Sequence, residues 1–185
     1  MLHAISNRFY SWAKGWLALT LAALDLAFMG FVMPLAGKLA GGAASPEPPL
    51  DLLFFSAPSE TFARLERYDE RARLFYLGSE LTLDLLHPIL YTLALGLLIS
   101  WLFQRGFARG DKMRILNVTP LGAWSLDLLE NLCIVAMLAL WPERSVPLAW
   151  MLTVFRMGKW IFVSASAALV AMGCALAARN GFKPR

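Results

Sequence analysis

The sequence predicts an all-α integral membrane protein: a four-helix bundle with a short amphipathic outer helix between its first and second spans. Three observations carry this. The 185-residue chain is 58% hydrophobic and only 16% charged, whereas soluble domains carry roughly a quarter of charged residues. Four apolar stretches, at about 15–35, 80–103, 118–141 and 147–178, each reach the length of about 20 residues that crosses a hydrocarbon core. Net positive charge also falls in alternate connections, because the basic residues of the first loop are matched by acids and those of the second are not. Little chain lies outside the spans, so residues 1–185 read as one membrane domain with an outer loop at 36–75.

The chain opens with Phe9, Tyr10, Trp12 and Trp16 beside Arg8 and Lys14, the aromatic and basic mixture that sits at headgroup level. The first span carries one acid, Asp25, near its centre, and Pro34 and Gly37 bring it to an end. No small-residue cleavage site follows it, so it is expected to stay in the mature protein. From Gly41 to Pro49 the run Gly-Gly-Ala-Ala-Ser-Pro-Glu-Pro-Pro reads as a linker, because it cannot sustain a helix. Leu50–Phe55 is apolar but too short to span, and is expected against the outer ends of the helices or in the lipid interface. Ser56-Ala-Pro-Ser-Glu then starts a helix, with Pro58 in the first turn and Glu60 near the positive end of the dipole. Phe62, Leu65 and Tyr68 recur on one face of it and Arg64, Glu66 and Arg67 on the other, which suits a cap over the bundle or a lid.

Asp69 and Glu70 start the next helix, which continues into the second span. Unbroken from Glu70 to Phe103 it would reach about 50 Å at about 1.5 Å per residue, more than the core thickness of about 30 Å, so its first turns stand above the membrane. Along it Glu80, Asp84, His87 and Tyr91 form one stripe. Pro88 cannot donate to the carbonyl of Asp84, which predicts a kink there. The following loop is basic, with Arg105, Arg109, Lys112 and Arg114, and reads as a topology signal in contact with anionic lipid. Pro120 sits in the opening turns of the third span, Trp141–Ser145 makes a tight outer turn, and Pro147 opens the last span. Residues 164–178 are rich in Ala, Ser and Gly, which let membrane helices approach closely. Cys133 and Cys174 read as small apolar packers.

The N-terminal segment, the second loop and the C-terminal tail with Arg179, Lys183 and Arg185 must share one face of the membrane if there are four spans. Their positive charge makes that face cytoplasmic, so both termini are expected inside, in a bacterial inner membrane. The net charge of +4 is thus spent on topology and not on a nucleic-acid stripe. The outer loop, by contrast, balances its arginines with Glu47, Asp51, Glu60, Glu66, Asp69 and Glu70.

The functional signal lies inside the spans. Asp127, Glu130 and Asn131 stand at i, i+3 and i+4 and project from one helix face, and Arg156 and Lys159 are three apart in the next span. A central acid or base costs about 2.5 to 3.5 kcal/mol on insertion, while each Leu, Ile, Val or Phe returns only about 0.3 to 0.6. Pairing Asp127 or Glu130 with Lys159 or Arg156 is therefore expected. Acid remains in surplus: Asp25, Glu80, Asp84, Asp127 and Glu130 face Arg156 and Lys159, with His87 optional. Some carboxylates must then hold their protons, or the site must admit water, a cation or a cationic ligand.

The D-x-x-E-N of Asp127, Glu130 and Asn131, followed a span later by Lys159-Trp160, resembles a set of uncharacterised four-span bacterial membrane proteins. Glu80, Asp84 and Pro88 give a fainter likeness to the EXPERA group, the emopamil-binding sterol isomerases and the sigma-2 receptor. That likeness implies a ligand cavity ringed by carboxylates behind a long outer segment. Arg156 and Lys159 depart from its pattern, and no catalytic role is carried across.

These readings converge on a cavity that binds a lipid-like or amphipathic molecule, with its processing by acid/base chemistry left open. Glu130, Asp127, Asp84 and His87 are the candidate catalytic residues. Glu80, Tyr91, Asn131, Arg156, Lys159 and Asp25 are the candidate ligand-binding residues. A non-catalytic subunit or assembly factor of a larger membrane complex stays open, as does a proton- or cation-coupled carrier, for which a homodimer would supply the missing repeat. Membrane lipids are expected partners and nucleic acid is not. No Gly-rich phosphate loop, His pair for a metal or G-x-S-x-G elbow occurs, so no motif names a cofactor or metal.

Overall fold

A computed structural model describes residues 1–39 and 50–181. The expected linker at 41–49 and the terminal Lys183 and Arg185 lie outside the described residues. Every regular element among these residues is helical. Four helices are long and apolar enough to cross a membrane: Gly15–Ala36, Glu70–Gly106, Lys112–Ala139 and Val146–Arg179. The fold is therefore all-α, with the four spans of a membrane helix bundle.

In chain order, α1 is Leu2–Trp12. The first span comprises α2 (Gly15–Ala27), a π-turn at Phe28–Val32 and α3 (Met33–Leu39). A single 3₁₀ turn at Leu50–Leu52 leads to α4 (Pro58–Arg67), then α5 (Glu70–Glu80) and α6 (Leu83–Gly106). A 3₁₀ segment at Lys112–Val118 precedes α7 (Pro120–Ala139), and α8 (Val146–Arg179) ends the described chain. The helix starts follow local chemistry. Glu60 accepts the Ala57 N–H at 3.1 Å with Pro58 at the first helical position, and Asp69 caps α5 by accepting the Ala72 N–H at 2.7 Å. On α4, Phe62, Leu65 and Tyr68 are buried and Glu66 and Arg67 exposed, the amphipathic division that the spacing predicts.

One expectation needs correction. The sequence predicts an unbroken helix from Glu70 to Phe103 that bends at Pro88, but the helix breaks earlier, at Leu81–Thr82. Gly78 and Ser79 are weak helix formers, and the Thr82 hydroxyl donates to the Gly78 carbonyl at 2.7 Å, a side-chain bond that competes with the backbone ladder. The helix restarts at Leu83 and continues through Pro88.

The chain forms two compact units. The first comprises 1–26, 89–124 and 161–185. In it α1 is tied to the Lys112–Val118 segment: the Ser6 hydroxyl donates to Asn117 Oδ1 at 2.7 Å, and Asn117 Nδ2 donates to Ser100 Oγ at 2.8 Å and to the Ser6 carbonyl at 3.1 Å. Phe9 packs where any side chain at Gly96 would collide, 2.6 Å from its ring. Ile99, Leu102, Phe103 and Ala177 form a second core. A Cβ at Gly173 would meet Leu102 at 2.8 Å, the close approach expected of the small residues late in the fourth span.

The second unit comprises 27–88 and 125–160. Its core joins Leu50, Phe62, Leu65 and Tyr76 to Ile134, Met137 and Leu152. Leu50 is fully buried in this core, while Leu52, Phe54 and Phe55 of the same short apolar segment are exposed at 50%, 53% and 53%. Both cysteines are free thiols, Cys133 buried and Cys174 exposed.

Candidate functional site

The second unit gathers eight of the ten residues singled out by sequence: Glu80, Asp84, His87, Asp127, Glu130, Asn131, Arg156 and Lys159. Asp25 and Tyr91 fall in the first unit. The face of α7 that carries the D-x-x-E-N spacing points inward. Asp127, Glu130 and Asn131 are 7%, 0% and 4% exposed, because the intervening leucines take the outer face, with Leu129 and Leu132 exposed.

Lys159 of α8 meets both α7 acids. Its Nζ lies 2.5 Å from Glu130 Oε2 and 3.3 Å from Asp127 Oδ1. A single buried ammonium thus serves two carboxylates, and Glu130 Oε1 accepts no hydrogen bond from the described residues.

Arg156 does not follow the expected pairing. Its Nη1 donates to the Leu50 carbonyl at 2.6 Å and its Nη2 to Ser56 Oγ at 2.7 Å. Thr153 Oγ1 donates to the Ser56 carbonyl at 2.8 Å, Trp160 Nε1 to the Asp51 carbonyl at 3.3 Å, and the Leu50 N–H to the Tyr76 hydroxyl at 3.0 Å. The reason is local: this segment has a single 3₁₀ turn, in which the Leu50 carbonyl accepts the Leu53 N–H at 3.2 Å, and side chains supply the further donors that its buried acceptors need. The guanidinium fork does so, and residues 50–56 are clamped to α8.

Pro88 and Asn131 act together. Proline at 88 leaves the Asp84 carbonyl without its helical donor, and Asn131 Nδ2 supplies one at 2.6 Å. The Asp84 carboxylate itself accepts from Ser79 Oγ at 3.0 Å, and the His87 ring lies flat against Phe28, centroids 5.3 Å apart and 5° from parallel.

Glu80, the first member of the stripe, is 1% exposed at the end of α5. Neither of its carboxyl oxygens has a hydrogen-bond partner among the described residues. The charges it feels are those of Asp84, Asp51 and Glu130, all acidic, and Lys159.

Asp51 is the residue that sequence reasoning missed. It lies within electrostatic reach of Lys159, Asp127 and Arg156. Burial pushes its carboxyl above the ordinary aspartate value, and the Lys159 ammonium opposes this only in part. The available signal was an acid inside the apolar run Leu50–Phe55, the same signal that marked Asp127 and Glu130. With Asp51, the cluster holds five acids, Asp51, Glu80, Asp84, Asp127 and Glu130, against Lys159 and an Arg156 already committed to the chain's own carbonyl and hydroxyl groups. Among the described residues no group of His, Cys, Asp and Glu is arranged to hold a metal ion. The chemistry open to the cluster is ion pairing, hydrogen bonding and proton exchange.

No family model, curated protein or solved structure matches the chain.

Proposed function

We propose that this four-span membrane protein binds an amphipathic, lipid-like molecule whose polar end, a cation or hydrogen-bond donor, is received by Glu80 and Glu130. One observation carries the reading. Glu80 is buried with two unpartnered oxygens beside other acids, and burying such a group without a partner costs about 1 to 3 kcal/mol or more. A protein that only needed fixed helix register has no use for that arrangement, since the Lys159 ion pairs and the Arg156 clamp already fix it. Proton transfer to or from the ligand by Glu130 or Asp84 is the acid/base step that such a group permits. The basic second loop and N-terminal segment support a cytoplasmic placement of both termini in a bacterial inner membrane.

A second reading, a subunit or assembly factor of a larger membrane complex or homodimer, draws on the first span, whose apolar window is only 6% buried within the chain. It leaves Glu80 unexplained. The two are separated by native mass spectrometry with lipid analysis on gently purified protein. The ligand reading predicts a co-purifying molecule present with wild type and lost from Glu80→Gln and Glu130→Gln while helicity and thermal stability persist. Identical bound-lipid profiles for all three proteins overturn it in favour of the subunit reading.

A further inference from the structure

A separate cleft of about 850 Å³ opens in the first unit between α1 and the segment that follows α6. His3 and Asn7 line one side and Arg109, Asp111, Lys112 and Arg114 the other. Three permanent cations therefore face one acid. That acid is already engaged, because the Asp111 carboxylate accepts the Met113 N–H at 2.9 Å. Arg109 and Lys112 are exposed and make no ion pair or hydrogen bond within the described residues. Arg114 is held in place. Its guanidinium lies 4.1 Å from the centre of the Tyr10 ring, and the Tyr10 hydroxyl donates to the Arg114 carbonyl at 2.9 Å. The cleft thus combines one fixed cation, two unneutralised ones and uncharged hydrogen-bonding groups from α1, the chemistry that receives a phosphate oxyanion.

Its position selects the source of that phosphate. The lining residues come from chain before the first span begins at Gly15, and from the stretch that follows the second span at Gly106 and enters the first turns of the third, Lys112–Ala139. Trp12 and Trp16 nearby in sequence are exposed at 47% and 66%, as aromatic anchors at headgroup depth are. We propose that this cleft is a binding site for the phosphodiester of an anionic membrane phospholipid. This does not rest on the carboxylate site, with which it shares no residue.

The test is competitive native mass spectrometry on the full chain in detergent with equimolar phosphatidylglycerol and phosphatidylcholine. Wild type should retain phosphatidylglycerol preferentially. Arg109→Ala with Lys112→Ala should reduce that preference about tenfold or more, and Arg109→Lys with Lys112→Arg should largely keep it. Both side chains are exposed, so the fold should survive, which circular dichroism checks. Lys14→Ala with Arg179→Ala removes the same charge from span ends outside the cleft and should leave the preference unchanged. An equal loss in the two alanine pairs would show diffuse surface charge and overturn the site. Displacement of phosphatidylglycerol by inorganic phosphate at millimolar concentration would assign the cleft to free phosphate and overturn the lipid proposal.

Discussion

Replacing Lys159 by methionine removes the ammonium and keeps an unbranched side chain of similar length. In the native protein that ammonium lies 2.5 Å from Glu130 and 3.3 Å from Asp127, and the three side chains are 9%, 0% and 10% exposed. These are not surface pairs, whose loss costs about 0 to 1 kcal/mol. Removing one partner of a buried pair costs about 3 to 5 kcal/mol, and here two acids lose their shared cation, so the upper half of that range applies. A loss of about 4 kcal/mol corresponds to a roughly thousandfold shift in the unfolding equilibrium. The assay is reversible unfolding in mixed detergent micelles, followed by far-ultraviolet circular dichroism and tryptophan fluorescence. The combined variant Lys159→Met, Asp127→Asn, Glu130→Gln leaves no unpaired charge within the triad itself and should be recovered by several kcal/mol relative to Lys159→Met alone. If Lys159→Met alone costs less than about 1 kcal/mol, or if the combined variant is as unstable as the single one, the buried charge triad is not what holds α7 to α8.

Arg156→Met should strip the donors from the Leu50 carbonyl and Ser56 Oγ, at about 1.5 to 3 kcal/mol for each charged bond, and hydrogen-exchange mass spectrometry should show faster amide exchange over 50–56; unchanged exchange contradicts the clamp. Asn131→Leu should cost about 1 to 3 kcal/mol by orphaning the Asp84 carbonyl, but less in a Pro88→Ala background, where a backbone N–H is restored; strictly additive unfolding energies would contradict the compensation. Asp51 makes the pH dependence. Its folded-state value lies above the unfolded one, so its stabilising contribution is present below the unfolded value of about 3.9 and lost as pH rises through the folded value. Wild type should therefore lose stability relative to Asp51→Asn as pH rises above about 4. Parallel pH profiles for the two proteins would remove Asp51 from the buried cluster.

The spans were legible because hydropathy and length are local properties; the first and fourth recur within a residue or two of the expected bounds, while the second and third helices start earlier, at Glu70 and Lys112. The same holds for the start of α4 and the Asp69 cap, where a side chain bonds backbone three residues away. The inward face of Asp127, Glu130 and Asn131 followed from helical spacing plus the insertion cost of acids, and these two facts also predicted an α8 cation opposite. Arg156 was harder. Its partners are a backbone carbonyl and a serine some hundred residues away, and nothing in the identity of Leu50 announces that its carbonyl will take a second donor from α8. The break at Leu81–Thr82 was missed because periodicity runs smoothly through it, while the deciding event is a threonine hydroxyl turning back on Gly78. Asp51 escaped for a related reason, since only tertiary packing, with Leu50 buried in the core, brings it within electrostatic reach of Lys159 and Asp127.

The most direct test of the central claim is an experimental structure of the full chain in lipid nanodiscs, at a resolution that defines side chains and bound lipids. The account predicts non-protein density within hydrogen-bonding distance of the Glu80 or Glu130 carboxyl group. It is contradicted if both Glu80 oxygens are satisfied by the chain's own donors and no bound molecule reaches either carboxylate.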